Sequence, residues 1–369
     1  MTKDLVGLAI LALSLALPMT GFAEDIEFLS GLDEQSSSCD FDDGDCCRHG
    51  GFWFAGAEAT MLQAVVRTGG QITASFSDTT APGVSTAAFL DGDGLDEFAF
   101  GPRVWVGRQL NEKWAFVGRY WDLSANSLHR PDENPNIPNT GTNFATFEQG
   151  DTAHLYTADL EFIRTFEPGA WKIDAMGGVR AAHVDARSDF LGFGVFTTGN
   201  FINLTLQNGF EFDGVGGTGG LLGRRQIGDT PFSLVLGGRF SYLGGFTDAF
   251  GRASGTVADS PSAPLVGAAT VTRNGASAHA SIGELQAGLQ ADYPLAFVPA
   301  SAFIRTTFEY QNWAIHGHPT GGAGFGGTIG ELTTNSFSRA GMAPPPGGGL
   351  DGKADAHLLG VSIAVGINW

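Results

Sequence analysis

HLLGVSIAVGINW, residues 357–369, closes the chain, and its reading decides the fold. Leu359, Val361, Ile363, Val365, Ile367 and Trp369 share one face; Leu358, Gly360, Ser362, Ala364, Gly366 and Asn368 share the other. A period of two is the signature of a β-strand, here with one strongly apolar face and one of small or polar residues. As the edge of a soluble sheet such a strand would template aggregation. In a closed transmembrane barrel it is paired on both sides and its apolar face meets lipid.

The other terminus points the same way. Lys3 precedes an apolar stretch from Leu5 to Leu17, Pro18 breaks it, and Gly21-Phe22-Ala23 places small residues at the −3 and −1 positions of a cleavage site. Residues 1–23 therefore read as a secretory signal peptide, too short to anchor in a bilayer. After Ala23 no apolar run is long enough for a transmembrane helix, so only a barrel would place the exported chain in a membrane.

Composition agrees. Fifty-five Gly and 29 Phe in 369 residues exceed ordinary usage, as expected where strands bend around a barrel and aromatics mark its interfaces. The formal charge of −19 argues against nucleic acid or acidic polymers as partners. Residues 24–50 read as an acidic, Cys-containing periplasmic extension. Within it, Cys39 with Cys46 or Cys47 suits a disulfide in an oxidising compartment; unpaired thiols, or a metal site with His49, are the alternatives.

Residues 51–369 divide into strand-like segments joined alternately by short turns and long connections. The segments run approximately over 52–66, 98–110, 114–124, 154–166, 171–186, 208–226, 232–242, 280–293, 302–313 and 357–369. Asn111-Glu112-Lys113, Glu167-Pro168-Gly169 and Gly228-Asp229-Thr230 are the tight turns. This predicts an all-β, closed antiparallel barrel of ten strands, with short periplasmic turns, long extracellular loops and both termini in the periplasm. Twelve strands result if Phe193–Leu206 or Ile72–Leu90 adds a hairpin.

Alternation also predicts which side chains enter the lumen. Tyr156, Leu160 and Phe162 oppose Asp159 and Glu161; Phe232, Leu236 and Phe240 oppose Arg239; Leu285 and Leu289 oppose Glu284; Ile304 and Phe308 oppose Arg305 and Glu309. With Glu58 and Arg103 these give eight candidate lumen residues. Ten strands leave roughly 8–10 Å of free width inside, so long Arg and Glu side chains would either line a narrow pore or bridge it as an ionic plug. The small lumen face of the last strand would border any open path.

Two segments, GELQAGLQADYP…FIRTTFEYQNW (Gly283 to Trp313) and FEFDGVGGTGGLLGRRQIGDTPFSLVLGGRFSYLGG (Phe210 to Gly245), resemble the Legionella-type major outer-membrane protein family, in the variant found among planctomycetes. FGPRVWVGRQLNEKWAFVGRYWDL (Phe100 to Leu123) and DAHLLGVSIAVGINW fit the same pattern. The resemblance implies a porin-like, pore-forming barrel of a Gram-negative-type outer membrane, passing small solutes or ions by passive diffusion and needing no cofactor. The last strand is also similar to the C-terminal assembly signal of such barrels, with Val365, Ile367 and Trp369 as the residues that the barrel-assembly machinery would read. Outer-membrane lipid is the other implied partner. A non-conducting structural or adhesive barrel is the alternative, and an outer-membrane hydrolase a more distant one.

Other motifs carry less. Asp91-Gly92-Asp93-Gly94-Leu95-Asp96-Glu97 resembles part of a calcium loop, but Arg103 stands where the closing carboxylate belongs, so a solvated acidic turn is expected. His154 with Asp151, or His183 with Asp185, would suit acid–base chemistry, yet no nucleophile motif accompanies either and no enzyme is expected. His316-Gly317-His318 reads as a polar loop tip. Most of the seven Trp fall near strand ends, as interfacial anchors do. Gly214 to Gly223 reads as strand curvature, not as a nucleotide loop, since no Lys-Ser/Thr follows.

Overall fold

The computed structural model describes residues 52–77, 85–129, 142–196, 201–258, 264–295, 300–317, 327–328 and 353–369. The signal peptide, the 24–50 extension and the Cys39, Cys46 and Cys47 segment lie outside them.

Ten long strands form the barrel: β1 (Trp53–Ser77), β2 (Ser85–Gln109), β3 (Trp114–His129), β4 (Thr142–Phe166), β5 (Trp171–Phe196), β6 (Phe201–Gln226), β7 (Phe232–Ala258), β8 (Pro264–Pro294), β9 (Ser301–Gly317) and β10 (Lys353–Asn368). Each pairs antiparallel with its sequence neighbours, and Gly327–Thr328 adds a two-residue parallel bridge to β1. Closure is between the first and last strands, from Phe54 opposite Asn368 to Thr68 opposite Ala354. Trp53 and Trp369 exchange both backbone hydrogen bonds, at 2.8 and 2.9 Å, so no ladder edge is left at the seam.

The tight turns follow their residue chemistry. Asn111 Oδ1 accepts from the backbone N–H of Lys113 and Trp114, both at 3.0 Å, which closes β2 onto β3. Gly169 (φ 64°) and Gly228 (φ 57°) supply the left-handed conformations that turn β4 into β5 and β6 into β7. At the opposite end the strands run well past the expected limits. The described parts of Phe193–Leu206 and Ile72–Leu90 continue the β5–β6 and β1–β2 ladders and add no further strand, so the barrel has ten long strands among the described residues. Asp91–Glu97 likewise belongs to β2, next to a register irregularity in β1, and not to a tight turn.

The outward face of the lower barrel is an apolar belt. Phe162, Leu285, Phe308 and Ile363 are all more than half exposed, which a barrel in water would not tolerate over so wide a band. Trp53, Trp114 and Trp171 stand at its turn-side rim, with Arg108, Arg164 and Arg225 over their rings at 5.2–5.8 Å. Four of the five Tyr (Tyr120, Tyr156, Tyr242 and Tyr310) mark the other rim. Two aromatic girdles around an apolar band are the mark of a barrel that crosses a membrane. No helix among the described residues is long and apolar enough to cross one.

Candidate functional site

A barrel acts through its interior or its rims, and the interior here is filled in layers. Nearest the turns, Trp105 and Phe303 stack across β2 and β9 with ring centroids 6.4 Å apart. They lie over Gly56 and Gly366, where any side chain would collide with these rings. Beside them Arg224 holds Asp174 at 2.7 Å, and Thr165 donates to the same carboxylate at 2.7 Å.

The next layer is ionic. Arg103 bridges Glu58 (3.1 Å) and Glu309 (2.5 Å), and Arg305 reaches Glu58 at 3.5 Å. Arg180 clasps Asp159 through two nitrogens, at 2.6 and 3.0 Å, and also pairs with Glu284. Arg239 contacts Asp159 (3.2 Å), Glu161 (3.1 Å) and Glu284 (3.8 Å), while Arg119 approaches Glu161 at 3.6 Å. Five guanidiniums thus face five carboxylates. Balance matters because an uncompensated charge held away from water costs several kcal/mol, roughly the whole margin of a small domain.

All eight predicted lumen residues (Glu58, Arg103, Asp159, Glu161, Arg239, Glu284, Arg305 and Glu309) point inward and join these pairs. Sequence reading missed Arg119 and Arg180. Alternation carried both: Val179 faces out, so Arg180 faces in, and Trp121 shares its inward face with Arg119.

Above the ions the lining turns apolar. Trp121 donates from Nε1 to Thr60 Oγ1 (3.2 Å), and Trp313 donates to Gln311 (3.0 Å), which in turn donates to Glu309 (2.7 Å). The two indoles lie 6.2 Å apart. Over them Leu62, Leu123, Leu155, Phe212, Leu243, Ile282 and Leu358 form one cluster to which all ten strands contribute. Most of its large side chains have no solvent exposure at all. A residue lining a water-filled channel is wetted by it; these are not. Trp105, Trp121 and Trp313 are therefore interior groups and not the interfacial anchors expected. The β10 face is sealed too: Leu358, Ser362 and Ala364 are buried, and a side chain at Gly360 would strike the β1 backbone at Met61. Its small residues make room for neighbouring strands.

Outside the wall, the histidine pairs differ from those expected. His154 bonds Asp122 at 3.1 Å, while Asp151 is buried on the inward face. His183 bonds Asp213 at 2.9 Å, and Asp185 pairs instead with Arg187 at 2.8 Å. His316 stacks on His279, and His318 lies outside the described residues. Val365, Ile367 and Trp369 share the outward, lipid-side face of the last strand's closing segment.

No family model matches the chain, and no curated protein matches it. Among solved structures it is similar to the outer-membrane protease OmpT of Escherichia coli, at 11% identity and a TM-score of 0.34, over 86% of this chain and 96% of that one. It is also similar to the toluene transporter TodX of P. putida, at 9% identity and a TM-score of 0.31, over 86% and 89%. At these scores the likenesses carry nothing about activity.

Proposed function

We propose that the protein is a closed, non-conducting barrel of the bacterial outer membrane, with structural or adhesive work done by the wall and tips that rise above the lipid. The observation that carries this reading is the unexposed apolar layer drawn from all ten strands, seated on a charge-balanced ionic layer. The signal peptide and the Trp369 strand are read as its export and assembly signals, with outer-membrane lipid and the barrel-assembly machinery as its partners. No catalytic role is assigned. The resemblance of Phe210–Gly245 and Gly283–Trp313 to the Legionella-type major outer-membrane protein family favours the competing reading, a passive pore. That reading requires both layers to part.

Single-channel recording in planar bilayers decides between them. Folding is checked first by heat-modifiable migration of the detergent-extracted chain. The closed reading expects no conductance steps from folded protein; steady steps from the unmodified chain would overturn it.

A further inference from the structure

We propose that His183, Glu211 and Asp213 form a binding site for a zinc-class divalent cation on the outer wall of the barrel, at the level of the tyrosine girdle, where Tyr156 stands opposite His183. The β5–β6 register sets His183 opposite Asp213 and Asp185 opposite Glu211, so four outward side chains make one block. One ligand atom from each of His183, Glu211 and Asp213 lies within 4.8 Å of the other two. Ligands at about 2.1 Å from a tetrahedral ion stand roughly 3.4 Å apart, so small side-chain rotations close the set. His183 Nδ1 is already 2.9 Å from Asp213 Oδ1.

The imidazole is held in place before any ion arrives. Tyr156 stacks on it at 4.9 Å with an interplanar angle of 22°, and His154 meets its edge at 6.1 Å. Arg187 pairs with Asp185, which leaves His183, Glu211 and Asp213 as the three ligands of the block. The register sets Asp185 on one side of Glu211 and Asp248 on the other, so negative charge crowds at this point of the wall. A dication would relieve that crowding. One imidazole nitrogen with two carboxylate oxygens suits zinc and its neighbours, whereas calcium and magnesium prefer all-oxygen shells. The three ligands are only half-buried, so a fourth position stays open to water or to a phosphate oxygen of the headgroup layer.

The test uses the full refolded chain in detergent micelles, titrated with Zn²⁺ by calorimetry and with Co²⁺ by visible absorption. One ion per chain is expected, with a cobalt spectrum of low coordination number. His183→Ala and Asp213→Asn should each weaken binding at least tenfold, and His279→Ala should leave it unchanged. All three face outward, and heat-modifiable migration verifies that each variant is folded. Absence of binding, binding that survives His183→Ala, or Ca²⁺ bound in preference to Zn²⁺ would overturn the assignment.

Discussion

Below the tyrosine girdle β4 turns Leu160 and Phe162 outward and Asp159 and Glu161 inward. Above it the same strand turns His154 and Thr152 outward and Leu155 and Ala153 inward. β5 does likewise: Val179 is outside and Arg180 inside, then His183, Asp185 and Arg187 are outside with Ala182, Val184 and Ala186 inside. The phase of alternation holds while the chemistry of the two faces exchanges. The lower half is an inverted protein, with oil outside and ions within. The upper half is an ordinary water-facing one, with an apolar core. The exchange marks the height at which lipid gives way to water, and the two interior layers meet there.

The largest expected effect tests the lower layer. Arg180→Met leaves Asp159 and Glu284 buried with only Arg239 between them, and should cost about 3–5 kcal/mol in denaturant unfolding from micelles. Adding Asp159→Asn should recover part of this loss. A cost below about 1 kcal/mol would mean that water reaches the layer.

In the upper layer Leu155→Ala removes an unexposed side chain from a closed core and should cost about 2–5 kcal/mol, by cavity formation and not by charge. Its effect should be indifferent to salt. Sensitivity to salt would tie the apolar layer to the ionic one and break the contrast between them.

A charge added outside separates the halves directly. Leu160→Arg, on the lipid-facing band, should cost about 2–4 kcal/mol, whereas Thr152→Arg, eight residues higher on the same face, should cost about 0–1 kcal/mol. Urea unfolding from lipid vesicles measures both. Equal costs would erase the boundary.

The exchange of faces also explains what the sequence disclosed and what it hid. Alternation located the membrane-crossing part of each strand, and the last strand's pairing onto β1 followed from its need to lose an edge. The expected strands stopped near His154, Ala186, Asn208, Tyr242 and Ala280 because there the outward residues turn polar. A rule that keeps one face apolar ends the strand at that point. The lumen charges were legible residue by residue, since parity alone sends Glu161 or Arg239 inward. Their partners were not: Arg103 and Glu309 are 206 residues apart, and only ring closure brings them together. The inward turn of Trp121 and Trp313 was hidden because the interfacial preference of Trp outweighed the parity that placed them.

The smallest effect locates the boundary most finely. Arg187 pairs with Asp185 on the outward face of β5, above the girdle, with its side chain 56% exposed. If water surrounds that height, Arg187→Ala should cost only about 0.2–1 kcal/mol at low salt, because an exposed pair gains little over hydration. At 1 M salt the screening length falls to about 3 Å, and the difference between variant and parent should shrink further. Unfolding in vesicles at the two salt concentrations measures this. A larger cost that salt leaves untouched would mean that lipid reaches Arg187, and the exchange of faces would then lie inside the bilayer and not at its surface.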